Sequence, residues 1–199
     1  MSWRPDTLEV LHHPHPALRF ESTPVTAIDA TFKKTVAEMF ELMYSHNGIG
    51  LAANQVGIPR RFFLVNLSGE EADPDEEFVF INPVLSGRRG SEVAEEGCLS
   101  LPGLFGDVRR PSGITVQAYG LDGQPFEMKL TDLPARVVQH ENDHLDGTMF
   151  IDRMADAARQ ELQPQVEEFE IELTSKQSAG QVPASEVLKS ELQTMATAS

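Results

Sequence analysis

His140 and His144 stand four residues apart in Gln139-His140-Glu141-Asn142-Asp143-His144, an H-E-x-x-H pattern. On a helix that spacing stacks two imidazoles on one face, where they can grip one metal ion. Glu141 lies beside them, within reach of a metal-bound water, where a carboxylate can take up a proton. Together they point to metal-assisted hydrolysis, with the water as nucleophile and Glu141 as general base and acid. The bland alternative is a chance pattern around a satisfied core histidine. The flanking segment argues against it, because it carries helical caps and an apolar face.

A catalytic site of this kind uses three protein ligands and one open position. One metallopeptidase class takes a histidine ten positions after the first, but Phe150 stands there. Another takes a glutamate from a downstream helix. Glu161, Glu167 and Glu168 are candidates, although a charge run of this sort usually marks a solvated helix face. The remaining candidate is Cys98, in Glu95-Glu96-Gly97-Cys98-Leu99-Ser100. A free cysteine by itself reads as a small buried hydrophobe. Beside two histidines it reads as a ligand, since a thiolate binds borderline metals strongly and gives up its proton on binding.

These residues need elements to position them. Asp29 caps a helix running to about His46, with Phe32, Val36, Met39, Phe40 and Met43 on one stripe and Asn47-Gly48 as its end. Upstream, Leu8 to Pro24 is irregular. Gly48 to Gly57 is small and apolar and follows neither period. Arg61 to Leu67 and Phe78 to Pro83 read as strands, with the acidic segment Gly69 to Glu77 as a surface loop between them. Ile114, Val116 and Ala118 alternate with polar residues, Asp122-Gly123 turns, and Phe126, Met128 and Leu130 alternate back, which makes a β-hairpin. Asp132 then caps a second helix with Pro134 in its first turn, Leu133, Val137 and Leu145 on its buried side, and Gly147 at its end.

After Arg153 the character changes. Leu162, Val166, Phe169 and Leu173 form a helical stripe, with Pro164 as a start or a kink. Thr174 to Ser185 is linker-like, and Glu186 to Met195 suits a short helix. Strands and helices without regular βαβ alternation give an α+β fold: antiparallel β-sheets packed around a central metal-binding helix, with a C-terminal helical tail. The expected organisation is a catalytic domain over 1–155 and an acidic helical extension over 156–199.

The 199 residues carry a formal net charge of −15 and a single cysteine. The charge opposes binding to nucleic acid or to anionic membranes. One thiol allows no internal disulfide and fits a reducing compartment. No apolar run is long enough for a signal peptide or a membrane span. The expected location is the cytoplasm.

Three segments resemble peptide deformylases. Gly48-Ile49-Gly50-Leu51-Ala52-Ala53-Asn54-Gln55 is similar to the first family motif, Glu96-Gly97-Cys98-Leu99-Ser100 to the second, and Gln139-His140-Glu141-Asn142-Asp143-His144 to the third. Each is weak to moderate alone; the three in order are specific. The likeness covers roughly residues 8 to 155. It implies removal of the formyl group from the N-terminal formylmethionine of nascent polypeptides, with release of formate. It implies one metal on Cys98, His140 and His144, ferrous iron natively, with zinc, nickel or cobalt able to replace it. It implies an oxyanion held by the metal, the Gln55 amide and the Leu99 N–H. Ile49 and Gly50 would lend backbone to an extended peptide, and Glu96 and Gly97 are also assigned to substrate binding. The partner is an N-formylmethionyl peptide or nascent chain. A ribosome contact through the acidic tail has nothing to support it, because RNA would repel the charge.

Some residues fall outside the motifs. Asn142 stands where the family has an apolar residue, which suggests a packing difference. Arg136 lies one turn before His140 and reads equally as a cleft-entrance residue or a surface arginine. Arg110 paired with Glu96 would brace the cysteine loop, and Asp143 could accept a further hydrogen bond nearby. His12, His13 and His15 read as ordinary surface residues. Two other functions stay open: a metallopeptidase with a glutamate ligand, and a catalytically silent metal-binding protein.

Overall fold

The computed structural model describes residues 2–66 and 74–198. The helix expected after Asp29 is α1 (Ala30–Ser45), and the Asp29 carboxylate accepts the Phe32 N–H at 2.7 Å. That bond satisfies one of the orphan donors of a helix start. Its stripe of Phe32, Val36, Met39 and Met43 is buried.

The helix packs on one face of a five-stranded antiparallel sheet ordered β1-β2-β3-β6-β7. The strands are β1 (Gly50–Ala52), β2 (Phe62–Asn66), β3 (Glu77–Arg89), β6 (Gly113–Tyr119) and β7 (Pro125–Thr131). β2 is buried on both faces and reads as one apolar run: Phe62 and Leu64 meet α1, while Phe63 and Val65 meet the opposite layer. Alternation along a strand makes this partition automatic. Leu67 and positions 69–73 of the expected acidic loop lie outside the described residues. β3 continues past Pro83 to Arg89, with register shifts around Ile81 to Val84 and Ser86 to Arg89. Proline has no N–H to give a ladder, so the strand passes it through a bulge. The expected hairpin is β6–β7, with Gly123 in the left-handed region at its turn.

The opposite layer is α2 (Asp132–Leu145). Its N-cap is Thr131, one residue before the expected Asp132. Ala135, Val137, Val138 and Leu145 face the sheet, but Leu133 does not: it is 52% exposed. On its other side α2 meets a hairpin that periodicity did not disclose, β4 (Glu92–Cys98) with β5 (Leu101–Arg110). α2 therefore lies between two sheets, and Cys98 ends a strand beside it.

The chain then runs through α3 (Phe150–Arg153), α4 (Asp156–Ser178) and α5 (Ser185–Thr197). Leu104, Val108, Phe150, Met154 and Val166 share a third core with Leu162 and Phe169 packed against it. The tail is thus docked. Pro164 sits inside α4 without ending it, and the expected linker over Thr174 to Ser185 shrinks to 179–184. No helix of the described residues is long and apolar enough to cross a membrane.

Candidate active site

Cys98, His140 and His144 come together, their ligating atoms all within 4.8 Å of one another. The Cys98 Sγ lies 3.3 Å from His144 Nε2. Donors around one tetrahedral ion with bonds of about 2.0–2.3 Å sit about 3.3–3.8 Å apart. The trio therefore fits a single ion with little movement. Glu161, Glu167 and Glu168 are exposed on α4 and take no part in the cluster, which removes the glutamate-ligand reading.

Of the two imidazoles, His140 is oriented from behind by a carboxylate, whereas the buried His144 Nδ1 has no hydrogen-bond partner. His140 Nδ1 is 2.9 Å from the Glu96 carboxylate, so Nε2 is left for the ion. Glu96 is buried and also receives Arg110 at 2.6 and 2.9 Å and Arg136 at 2.7 Å. Burial alone would raise its carboxyl; the bonds from His140 and Arg110 outweigh that and hold it at about 2. Its side chain is thus engaged by the ligand and two guanidinium groups, and the residue also lines the cleft. Arg110 also reaches Asp143 at 2.7 Å, and Arg153 grips the same carboxylate at 2.7 and 3.1 Å. Arg136 lines the cleft, as one of the two readings had it, and is not a surface arginine. It is buried on Glu96 and on the carbonyls of Val108 and Glu92. His144 is fully buried, and burial holds its ring neutral, the form that ligates. Asn54 donates to the His144 carbonyl and ties the helix to the first motif.

Glu141 is 4% exposed, and its Oε2 has no hydrogen-bond partner. Burial pushes its carboxyl up to about 7, against the pull of His140 and Arg110. The carboxylate lies against Gly50, where a Cβ would overlap it. Gln55 is fixed at both ends: Oε1 accepts the Ala52 N–H at 2.8 Å, and Nε2 donates to Ser100 Oγ at 3.1 Å and reaches Cys98 Sγ at 3.5 Å. Its NH₂ therefore faces the ligand cluster.

A cleft of about 620 Å³ opens over these groups, walled by Ile49, Leu99, Phe105, Leu133 and Val137. Gly50 and Gly97 also line it, and a Cβ on Gly97 would meet the Phe105 ring at 2.6 Å. β1 has only β2 as a neighbour, so its other edge is unpaired within the sheet.

Sequence reasoning missed Ser100, Asn54 and Arg153. None has a chemical signature at fixed spacing. The nearest signal is Ser100, two residues from the cysteine, where a fully buried hydroxyl needs a partner. Asn142 bonds Asp146 at 3.2 Å on an exposed edge, so it joins no buried polar network.

The family model described as polypeptide deformylase matches residues 7–160. A peptide deformylase of Rhodopirellula baltica is 43% identical over 175 residues, covering 88% of this chain and 87% of that one. A chloroplastic peptide deformylase 1B of Solanum lycopersicum is 44% identical over 150 residues, 75% of this chain and 53% of that one. Among solved structures, the Plasmodium falciparum peptide deformylase superposes with a TM-score of 0.82 at 36% identity, over 84% of this chain and 98% of that one. The Thermotoga maritima enzyme gives 0.70 at 39%, over 76% and 99%. By sequence, fold and the match along most of its length, the chain belongs to the polypeptide deformylase family.

Proposed function

We propose that this protein is a metal-dependent amide hydrolase that removes the formyl group from the N-terminal formylmethionine of newly made polypeptides. The observation that carries the reading is a buried Glu141 with one unpartnered carboxylate oxygen beside a Cys-His-His cluster at the base of a peptide-sized cleft. Cys98, His140 and His144 would hold the ion. The thiolate and imidazole donor set suits ferrous iron, and also zinc, nickel or cobalt. When bound, the ion supplies Lewis acidity that makes water nucleophilic near neutral pH and stabilises negative charge.

The protein's own groups do the rest. An extended peptide pairs with the free edge of β1 at Ile49 and Gly50, as an added strand would. Glu141 accepts the proton of the attacking water through its unpartnered oxygen. As the formyl oxygen gains charge, the Gln55 NH₂ and the Leu99 N–H donate to it. Glu141 then delivers its proton to the departing amine, and formate and a free N-terminus leave. The apolar walls from Ile49, Leu99, Leu133 and Val137 suit a methionine side chain.

The test is turnover of formyl-Met-Ala-Ser after anaerobic loading with ferrous iron, with free amine as the readout. Formate release is the expected result. A fully loaded enzyme that leaves this peptide intact would turn the reading into the silent metal-binder. In parallel, Cys98→Ala should lose bound metal, measured by elemental analysis after dialysis; retention of one ion per chain would mean that the thiol is no ligand.

A further inference from the structure

The catalytic cleft shares a wall with a second groove. His12 lines both: the cleft on one side and, on the other, a groove of about 410 Å³ between the N-terminal segment and α4–α5. Val10, Leu11, Phe169, Leu173 and Leu188 give this groove an apolar lining. His13 also lines it; the residue is 8% exposed and its Nδ1 has no hydrogen-bond partner. The dividing ring is held in place: His12 packs edge-on against Phe169, with centroids 6.4 Å apart at 82°. Exposed Glu9 and Glu172 stand along the groove, both close enough to act on the His12 ring. Its cation, Lys176, is paired with Glu172 at 2.6 Å. Phe169, Glu172, Leu173 and Leu188 all lie beyond residue 160, where the family match ends.

We propose that this groove binds the polypeptide substrate downstream of the residues held in the cleft, and that it favours extended segments with apolar and basic side chains. The inference rests on the deformylase reading above. A cleft of about 620 Å³ takes only the first few residues of an extended chain, so a longer substrate must leave across its rim. At His12 the rim leads into the second groove, with Leu11, Phe169 and Leu173 along it. Glu9 and Glu172 attract lysine or arginine there, and the unpartnered His13 ring nitrogen is a polar group that a peptide's backbone can meet.

The test compares three substrates: formyl-Met-Ala-Ser, a formylated decapeptide with lysines at its fifth to seventh residues, and the same decapeptide with glutamates there. At low salt the basic decapeptide should have a KM about threefold to tenfold below that of the tripeptide, with kcat unchanged, as one or two exposed charge pairs would give. The acidic decapeptide should gain nothing. Glu9→Lys/Glu172→Lys should reverse the charge preference, and Leu173→Asp should remove the gain from length, both leaving the tripeptide unaffected. Equal KM values for tripeptide and basic decapeptide, or variants that shift all substrates alike, would overturn the proposal. So would equal KM values together with dimerisation that Leu173→Asp abolishes, which would give the groove to a second copy of this chain. A labelled basic heptapeptide without formylmethionine separates the two readings. Its Kd, by fluorescence anisotropy, should weaken at least threefold in Leu173→Asp even if no peptide is deformylated; an unchanged Kd overturns the groove by itself.

Discussion

Gln55 shows how a polar side chain is kept ready inside an apolar run. Its carbonyl is spent on the Ala52 N–H, so the amide cannot flip without losing that bond, and Ser100 steadies the NH₂ that faces the cluster. Removing one oxyanion donor typically costs about 3–4 kcal/mol of transition-state stabilisation. Gln55→Leu should therefore lose about two to three orders of magnitude in kcat while binding metal normally. Gln55→Glu keeps the acceptor for Ala52 and replaces the donor, so it should fold well and be comparably slow. Near wild-type kcat in either variant removes Gln55 from the chemistry. Glu141→Ala should keep one metal per chain and lose nearly all turnover, since the three ligands do not depend on it. Metal loss there would make Glu141 structural. The ligand residues were legible because helical period and a lone cysteine restrict the choices; Ser100 and Asn54 were not, because their work depends on which loops meet in space.

The element that sequence patterning failed to disclose is the β4–β5 hairpin, and the reason is physical. Strand alternation is visible when inward positions are apolar. In β4 the buried inward residue is Glu96, and in β5 the buried set includes Arg110 beside Leu101, Leu104 and Val108. A charged pair inside and glycines at 97, 103 and 106 erase the usual signal. The same pair makes the hairpin a bracket for α2. Arg136 adds a second clamp, from the helix to Glu96 and to carbonyls on both strands. Arg136→Met should weaken metal affinity about tenfold or more, the usual effect of losing a partner behind a ligand, and should lower Tm because two carbonyls lose their donor. Arg136→Lys should recover only part of both, since an ammonium cannot reproduce the fork. Competition with a chelator measures the affinity. An unchanged value would mean that Arg110 alone sets the His140 position.

At the scale of the whole molecule, the tail returns to the N-terminal segment. The α5 helix lies against the short turn Pro16–Arg19, burying Leu192, and Arg60 donates to the carbonyls of Met195 at 3.1 Å and Ala196 at 2.6 Å at the helix end. Tail docking was not legible in the sequence, because the stripe of α4 shows that a face is apolar without saying what covers it. The histidines under the tail differ from the surface residues expected: His13 is buried, and His15 caps the turn by accepting the Ala17 N–H on Nδ1 at 3.2 Å. Burial lowers the His15 ring to about 4, from 6.5 for a solvated one. Between those values the unfolded chain binds a proton that the folded chain refuses. Stability is therefore whole above pH 6.5 and falls as the pH drops toward 4. Protonation of Nδ1 would also turn the acceptor into a donor and break the cap. His15→Asn keeps an acceptor and cannot titrate. The fall in Tm between pH 7.5 and 5 should then be about 4–8 °C smaller in this variant than in the wild type, the response of a domain this size to about 2 kcal/mol. Parallel Tm curves across that range would show that the ring stays solvated and that the turn is held by the tail alone.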